Sequence, residues 1–423
     1  MLLPTATQVL VVGAGPNGLT CAITLATLGI KATVVDDRSE RSYGARGCLI
    51  HARTLEVLRT LGLSDKLKDI GIQSKGIVFY GQADPLFNVD IAALSDTTEF
   101  PYILLTPQSE AERIFEEFLF DHGVEVIRNT KVVGFQESSA EGLDVSFEDG
   151  SSILASYVVG ADGARSTVRT LAGISFKDPS TSVMYDENPS SASFMLFALA
   201  DVVLDINPSI EIPRDIISWH LNGRIMFCPL ELPQALQHLH THNTSFWRIA
   251  IAIPPGSTTI PPRHPDQAYL QNEIDERKPW KDYIRLDHLY TAATYRVRSA
   301  VAETFFKRVG SGKVLLVGDS AHVHSPSGGQ GMNLGICDAV ILGRAIAEHI
   351  DRGDDAILSD YSWKRTETAR QVIQATKRMT AIINIPNGWR RWITSILMCV
   401  ANWVAPIRRK IARRLSGITY RSG

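Results

Sequence analysis

The first forty residues carry two short apolar runs with one helical stretch between them. Gln8–Val12 stays apolar to its end and stops at a glycine, which predicts a buried strand. Asn17–Leu28, with small residues near its start, predicts a helix. Lys31–Val35 predicts a second buried strand, ending at Asp36. Strand, helix and strand in this order form a βαβ unit. Arg53–Leu61 and Glu110–His122 predict amphipathic helices, while Val124–Ile127, Val132–Gln136, Leu143–Phe147 and Ser156–Val159 predict strands.

From about 177 to 297 the pattern changes. Prolines and polar turns separate strand-like runs at Phe194–Leu204, Ile216–Leu221, Arg224–Pro229, Trp247–Ile253 and Tyr290–Val297. Asn222-Gly223 between two of them signals a hairpin. This stretch predicts a largely antiparallel sheet forming a second domain. Val314–Val317 returns to a buried strand, Gly331–His349 predicts a helix, and the remainder is mostly helical. The fold class is therefore α/β locally and α+β overall, opening on a Rossmann-type unit.

Composition changes this picture little, but charge does. At 423 residues, 44% hydrophobic and 21% charged, the chain is long enough for two or three ordinary globular domains. Net charge is −2, yet residues 369–423 hold eleven Lys or Arg and no Asp or Glu, leaving −13 on residues 1–368. That acidity argues against a nucleic-acid partner. Cys21, Cys48, Cys228, Cys337 and Cys399 are scattered without a CxxC, which fits a reducing compartment and neither a disulfide framework nor a zinc site. Residues 1–8 have no basic leader, so a cytoplasmic location is expected.

Three glycine-bearing stretches carry the chemistry. Gly13-Ala14-Gly15-Pro16-Asn17-Gly18 follows the first strand as a dinucleotide fingerprint. Gly13 allows the tight turn, Gly15 lets backbone approach a pyrophosphate, and Gly18 allows close helix–strand packing. Asp36, with Asp37 beside it, offers a carboxylate to an adenosine ribose, favouring FAD or NAD over NADP. Gly160-Ala161-Asp162-Gly163 follows another strand. Gly318-Asp319 ends a third, where a carboxylate can hold a ribityl hydroxyl. Pro326-Ser327-Gly328-Gly329-Gln330-Gly331-Met332-Asn333 then presents backbone N–H groups at a helix start, suiting the negative charge of a reduced flavin. No second GxGxxG exists for a standing nicotinamide domain. Gly310-Ser311-Gly312-Lys313 lacks the spacing and the Ser/Thr of a phosphate loop. Asp319, His322 and His324 have metal-ligand types, but the flavin reading already accounts for them, and no metal is expected.

On VLVVGAGPNGLT, GARGCLIHARTLEVLRTLGL, LLTPQSEAE, VVGADGARSTVR and VLLVGDSAHVHSPSGGQGMNLGICDA, the chain resembles the single-component FAD-dependent aromatic hydroxylases, the p-hydroxybenzoate hydroxylase-like monooxygenases. The resemblance covers about 8–176 and 290–349 well and the middle weakly. It implies an FAD-binding domain at 1–176, with about 76–106 able to join the substrate sheet, and an inserted substrate domain at 177–295. The FAD domain then resumes at 296–352, with a helical basic extension at 353–423. It also implies Gly13, Ala14, Gly15, Pro16 and Gly18 at the pyrophosphate, and Asp36 at the ribose. Arg46 and Gln108 fall in the ribityl and phosphate region, Val132 at adenine, and Asp162 in the motif used for FAD and for nicotinamide passage. Gly318 and Asp319 sit at the ribityl chain, and Pro326, Gly329, Gly331, Met332 and Asn333 beside the isoalloxazine. NADPH or NADH and O2 would be co-substrates, a flavin C4a-hydroperoxide forming and hydroxylating a phenolic or polyketide-like aromatic.

Epoxidation or ring-opening oxygenation of a prenylated or polycyclic substrate is the alternative, with a non-catalytic FAD-binding, membrane-associated protein behind it. Halogenation is disfavoured, because the WxWxIP motif is absent. Cys48, Trp219, His220, Met226 and Cys228 are candidate pocket residues, though strand alternation must split those on strands between two faces. Tyr295 and Arg296 are candidates to hold a phenolate or carboxylate, and His51 a candidate catalytic histidine or a packed one. Trp392–Ile407 is apolar between arginines but, broken by Asn402 and Pro406, too short to span a bilayer. It predicts a helix packed on the FAD domain, a dimer contact, or peripheral membrane contact through 389–415, in a monomer or homodimer.

Overall fold

The computed structural model describes residues 3–41, 44, 46–81, 84–185, 195–206, 212–239, 245–257, 260–277 and 284–420. The chain opens with β1 (Ala6–Val12), α1 (Pro16–Thr27), β2 (Ala32–Val35) and α2 (Ala52–Arg59). There follow β3 (Gly76–Tyr80), β4 (Pro85–Asp90), α3 (Gln108–Asp121), β5 (Ser152–Gly160) and α4 (Thr167–Leu171). The middle supplies β6 (Leu196–Ile206), β7 (Ile216–His220), β8 (Ile225–Pro229), β9 (Phe246–Ile253) and β10 (Ile284–Arg296). The last part holds β11 (Gly312–Leu316), α5 (Gln330–Arg352), α6 (Asp355–Ile383), α7 (Trp389–Trp403) and α8 (Ala405–Leu415).

Apolar runs with no polar face must be covered on both sides, and that is how the first sheet is built. β11, β5, β1 and β2 lie side by side and parallel, with Val9, Leu10 and Val11 fully buried at the centre. Each such side chain contributes about 1.5–3 kcal/mol. α1 and α5 pack on each other beside this sheet. Register aligns the strand tips: Val12 lies opposite both Val35 and Gly160, and Gly160 opposite Leu316. Asp36, Gly13, Ala161 and Gly318 therefore follow one edge in a row.

The second sheet runs β10-β6-β9-β8-β7-β3-β4, antiparallel except where β7 meets β3. Gly76–Tyr80 and Pro85–Asp90 thus join the later strands in one sheet. Its two faces differ. Phe197, Val203, Trp219, Cys228 and Phe246 share a core with the first sheet. Ala198, Val202, Phe227, Trp247 and Ile249 turn away and pack under the helix Gln267–Arg277 through Leu270 and Ile274. The strand predicted from Phe194 begins at Leu196, and Phe194 itself lies outside the described residues. Asn222-Gly223 does fall between antiparallel neighbours, but the left-handed residue of that loop is Arg224, at φ 51°. The last paired residues are His220 and Ile225, so the loop has four residues and not the two of a tight Asn-Gly hairpin.

The predicted apolar segment Trp392–Ile407 is two helices. α7 ends at Trp403, and Pro406 opens α8, where its missing N–H costs nothing. Asn402 Oδ1 accepts a hydrogen bond from Asn88 N at 3.0 Å, so the helix pair closes the β4 edge of the second sheet. No helix among the described residues is long and apolar enough to cross a membrane.

Candidate functional site

The row of strand tips brings the three glycine stretches into contact. A Cβ on Gly13 would strike the Ala161 carbonyl, so the first stretch rests directly on the second. Gly13 holds φ 107°, a conformation only glycine adopts cheaply. The Asn17 side chain lies between Gly318 and Gly335, tying the first stretch to the third. Arg169 at the start of α4 donates to the Ser320 carbonyl at 2.9 Å and so links the second to the third.

What the row leaves open matters as much. Among the described residues, nothing lies within 4 Å of a Cβ placed on Gly15, Gly163 or Gly331. Gly15 and Gly331 sit at the N-terminal ends of α1 and α5, where backbone N–H groups lack intrahelical partners and carry partial positive charge. Gly329 caps α5 in the left-handed region at φ 63°. From Gly312 to Val323 every residue is buried except Asp319, which is exposed at the tip row. The protein around that carboxylate raises its pKa, against the opposing charges of His322 and Arg46. Asn17 Oδ1 is buried without a hydrogen-bond partner. A phosphate-bearing, elongated, hydroxyl-rich group fits these features: two helix ends, open glycine backbone and one outward acid. FAD is such a group.

At the far end, Asp36 accepts from Ala14 N at 2.6 Å and from Arg38 Nε and Nη2 at 2.8 and 2.9 Å. Burial pushes its carboxyl up, but the Arg38 hydrogen bond, the Ala14 N–H and the Arg38 charge prevail and hold it below the usual carboxylate range. Arg38, two residues beyond an acid that closes a strand, is a ligand-side residue that sequence reasoning missed. Asp37 is exposed next to it. Thr130 N donates to the Asp36 carbonyl at 2.9 Å, bringing Val132 alongside.

Several predicted residues are committed elsewhere. Asp162 caps α4, accepting from Ser166 Oγ and from Thr167 N and Val168 N at 2.7 and 3.1 Å, so only its backbone faces the tip row. Gln108 accepts from Gly47 N at 3.2 Å and donates to Glu112 at 2.8 Å, holding the loop of Arg46 rather than pointing outward. Asn333 accepts from His51 N at 2.8 Å and donates to the Leu49 and Gly329 carbonyls at 2.7 and 2.6 Å. His51 is buried with Nε2 2.8 Å from the Gly328 carbonyl, and burial lowers its pKa to about 4. It thus sits as a buried prop under the glycine-rich turn. His322 pairs with Asp338 at 2.7 Å, and Arg365 holds the other Asp338 oxygen at 2.6 Å. Pro326 is exposed, while Met332 lies 3.4 Å from a Cβ position on Gly47.

The second sheet faces this row with polar chemistry of its own. Asp201, Arg248 and Cys228 are cross-strand neighbours on β6, β9 and β8. Arg248 Nη2 donates to Asp201 at 2.7 Å and Nη1 reaches the Arg46 carbonyl. Burial works against the Arg248 charge, and the Asp201 carboxylate overcomes it. Cys48 and Cys228 lie with sulfurs 4.0 Å apart. That contact, then the Arg248 charge, lowers the Cys48 thiol pKa against its burial, while burial raises that of Cys228. Trp219 and Met226 are paired across β7 and β8 on this same face, and the Trp219 Nε1–H is buried without an acceptor. Tyr295 joins them, its phenol pKa raised by burial against the charges of Arg46 and Arg248.

Two candidates leave the group. Arg296 follows Tyr295 on a strand and is exposed, so the pair cannot hold one ligand. His220 stacks on Tyr80 at 5.0 Å and meets Phe227 edge-on, on the face turned away from the tip row. Sequence reasoning also missed Asp201 and Arg248. Opposite charges inside two largely apolar strands were the available signal.

Comparison with known proteins agrees with this geometry. A family model described as FAD binding domain matches residues 6–231 and 254–376. Pentachlorophenol 4-monooxygenase of Sphingobium chlorophenolicum is 29% identical over 388 residues, covering 89% of this chain and 64% of that protein. This chain thus spans under two thirds of that relative's length. The solved structure of p-nitrophenol 4-monooxygenase PnpA from Pseudomonas putida superposes with TM-score 0.79 at 24% identity, covering all of both chains. OxyS anhydrotetracycline hydroxylase from Streptomyces rimosus gives 0.72 at 25%, covering 97% of this chain and 76% of that one.

Proposed function

The chain belongs to the FAD-binding-domain family of the aromatic-hydroxylase type, and from that premise we propose that it hydroxylates a phenolic or polyketide-like aromatic with NAD(P)H and O2. The observation that carries the reading is the tip row, with open Gly15 and Gly331 backbone at two helix ends and the outward Asp319 between them.

Gly15 and the N-terminus of α1 would take the pyrophosphate, Asp36 with Arg38 the adenosine ribose, and Asp319 the ribityl chain. Bound FAD supplies the acceptance of reducing equivalents from NAD(P)H and the activation of O2. The N-terminus of α5 would stabilise negative charge on the reduced ring, with His51 and Asn333 holding that turn in place. Open backbone at Gly163 leaves room beside the same row.

The second sheet would act as the substrate domain, its row-facing side covering the site and excluding water. There the Trp219 Nε1–H and the Tyr295 hydroxyl would be donors for a phenol or quinone-like oxygen. Pentachlorophenol and anhydrotetracycline are named for proteins similar to this chain, and the apolar, aromatic face of the second sheet suits either.

The test is NADH and NADPH consumption by the flavin-loaded chain with a panel of phenols and polycyclic phenols. Oxidation stimulated by an aromatic, with an oxygenated product, is expected. Flavin-loaded protein that no aromatic stimulates would overturn the proposal.

A further inference from the structure

α7 is built inside out. Its one buried residue is Arg391, whose guanidinium donates to the Ile382 and Ile383 carbonyls at 3.1 and 2.9 Å and also to Ile385. Its large apolar side chains face away: Trp389 is 67% exposed, Trp392 66%, Leu397 62%, Val400 58% and Trp403 89%. With Ile393 and Ile396 between them, three- and four-residue steps make a single stripe, which α8 continues through Val404, Ile407 and Ile411. Ten of the eighteen exposed large hydrophobic side chains among the described residues lie between 389 and 411, so the exposure is one patch and not scatter.

We propose that this stripe docks on the surface of an anionic lipid bilayer, with α7 and α8 lying in the plane of the interface. Charge decides between the occupants an apolar stripe could take. Arg390 on α7 and Arg408, Lys410, Arg413 and Arg414 on α8 accompany the stripe, Arg409 being ion-paired with Asp96, and no Asp or Glu occurs from 369 onward. A second copy packed symmetrically here would set this positive stretch against itself. An anionic headgroup layer complements it. Tryptophan at both ends of α7 is the residue type that settles at that depth, between headgroups and acyl chains. Length decides between lying on and passing through. At 1.5 Å per residue, the fifteen residues of α7 reach about 22 Å, short of a hydrocarbon core about 30 Å thick. Because α7 and α8 close the β4 edge of the second sheet, the bilayer would lie against that sheet's flank.

Flotation of the full chain with phosphatidylcholine vesicles, with and without phosphatidylserine, tests this directly. Wild type should float with the anionic vesicles, less with the neutral ones, and less again as salt rises. Trp392→Glu/Leu397→Glu should lose about tenfold in anionic-vesicle binding. Both positions are exposed, so circular dichroism and FAD content should match wild type. Wild type that stays unbound to anionic vesicles overturns the proposal, and so does binding that the double variant leaves intact. A wild-type dimer that the double variant converts to monomer, without vesicle binding, assigns the stripe to a second copy and overturns it equally.

Discussion

Arg248 and Asp201 form a buried ion pair across β9 and β6, and the same guanidinium reaches the Arg46 carbonyl in the loop beyond the first sheet. One side chain therefore fastens the two layers where the proposed substrate face meets the tip row. Asp201→Ala strands the arginine charge and should cost about 3–5 kcal/mol in chemical denaturation. Asp201→Leu with Arg248→Met removes both charges and should cost less than either single change. Because it also frees the Arg46 loop, the double variant should bind FAD more weakly than its stability implies. A double variant less stable than Asp201→Ala contradicts this account of the pair.

Gly13 and Gly15 belong to one motif but should fail differently. Gly13→Ala forces a Cβ into the Ala161 carbonyl at φ 107° and should destabilise the fold by about 1–3 kcal/mol. Gly15 has φ −79° and open space where a Cβ would sit. Gly15→Val should leave thermal stability within a few degrees while weakening FAD by about tenfold or more, about 1.4 kcal/mol. Calorimetry and FAD titration on the two variants separate the roles. Equal loss of stability in both would show Gly15 to be structural.

His51 should make stability fall in mild acid. Its folded pKa, about 4, lies below its ordinary value of 6.5. The stability it contributes is complete above 6.5 and is lost as pH falls through about 4, by up to about 3 kcal/mol. His324, lowered to about 4 by burial, adds to the same slope. His51→Gln should flatten part of the decline measured by denaturant between those pH values. An unchanged slope would place the His51 ring in solvent.

Trp219 and His220 are neighbours on β7 with opposite surroundings. Trp219→Phe removes a buried donor from the face toward the tip row and should raise KM for the aromatic several-fold. His220→Phe changes only the far face and should leave KM alone. Steady-state kinetics with any accepted substrate checks the pair, and a larger effect at His220 would reverse the assignment of faces.

The tip row was legible from sequence because its residues answer to chemistry at the ends of strands. Asp36, Gly13 and Asp319 stand where apolar runs stop, and a run's end can be read directly. The pocket was not legible to the same degree. Alternation says that Tyr295 and Arg296 point apart, but not which one faces the first sheet; that depends on the partners β6 finds and on the irregularity in its pairing with β10 at Asp201/Val202. His51 acts through the Gly328 carbonyl, 277 residues away, and Asp162 spends its carboxylate on a helix start only four residues on. Neither commitment leaves a mark in spacing. The inverted stripe of α7 was half visible: the tryptophans, the arginines and the break at Asn402 and Pro406 stood out, while the burial of Arg391 needed coordinates.

The most direct measurement is a titration of flavin-stripped protein with FAD, followed by quenching of flavin fluorescence, for wild type and Asp319→Ala. The convergence of the three strand tips on one molecule predicts saturation near one FAD per wild-type chain and a much weaker curve for the variant. Wild-type protein that leaves FAD free in solution, or a variant that binds it equally well, would contradict it.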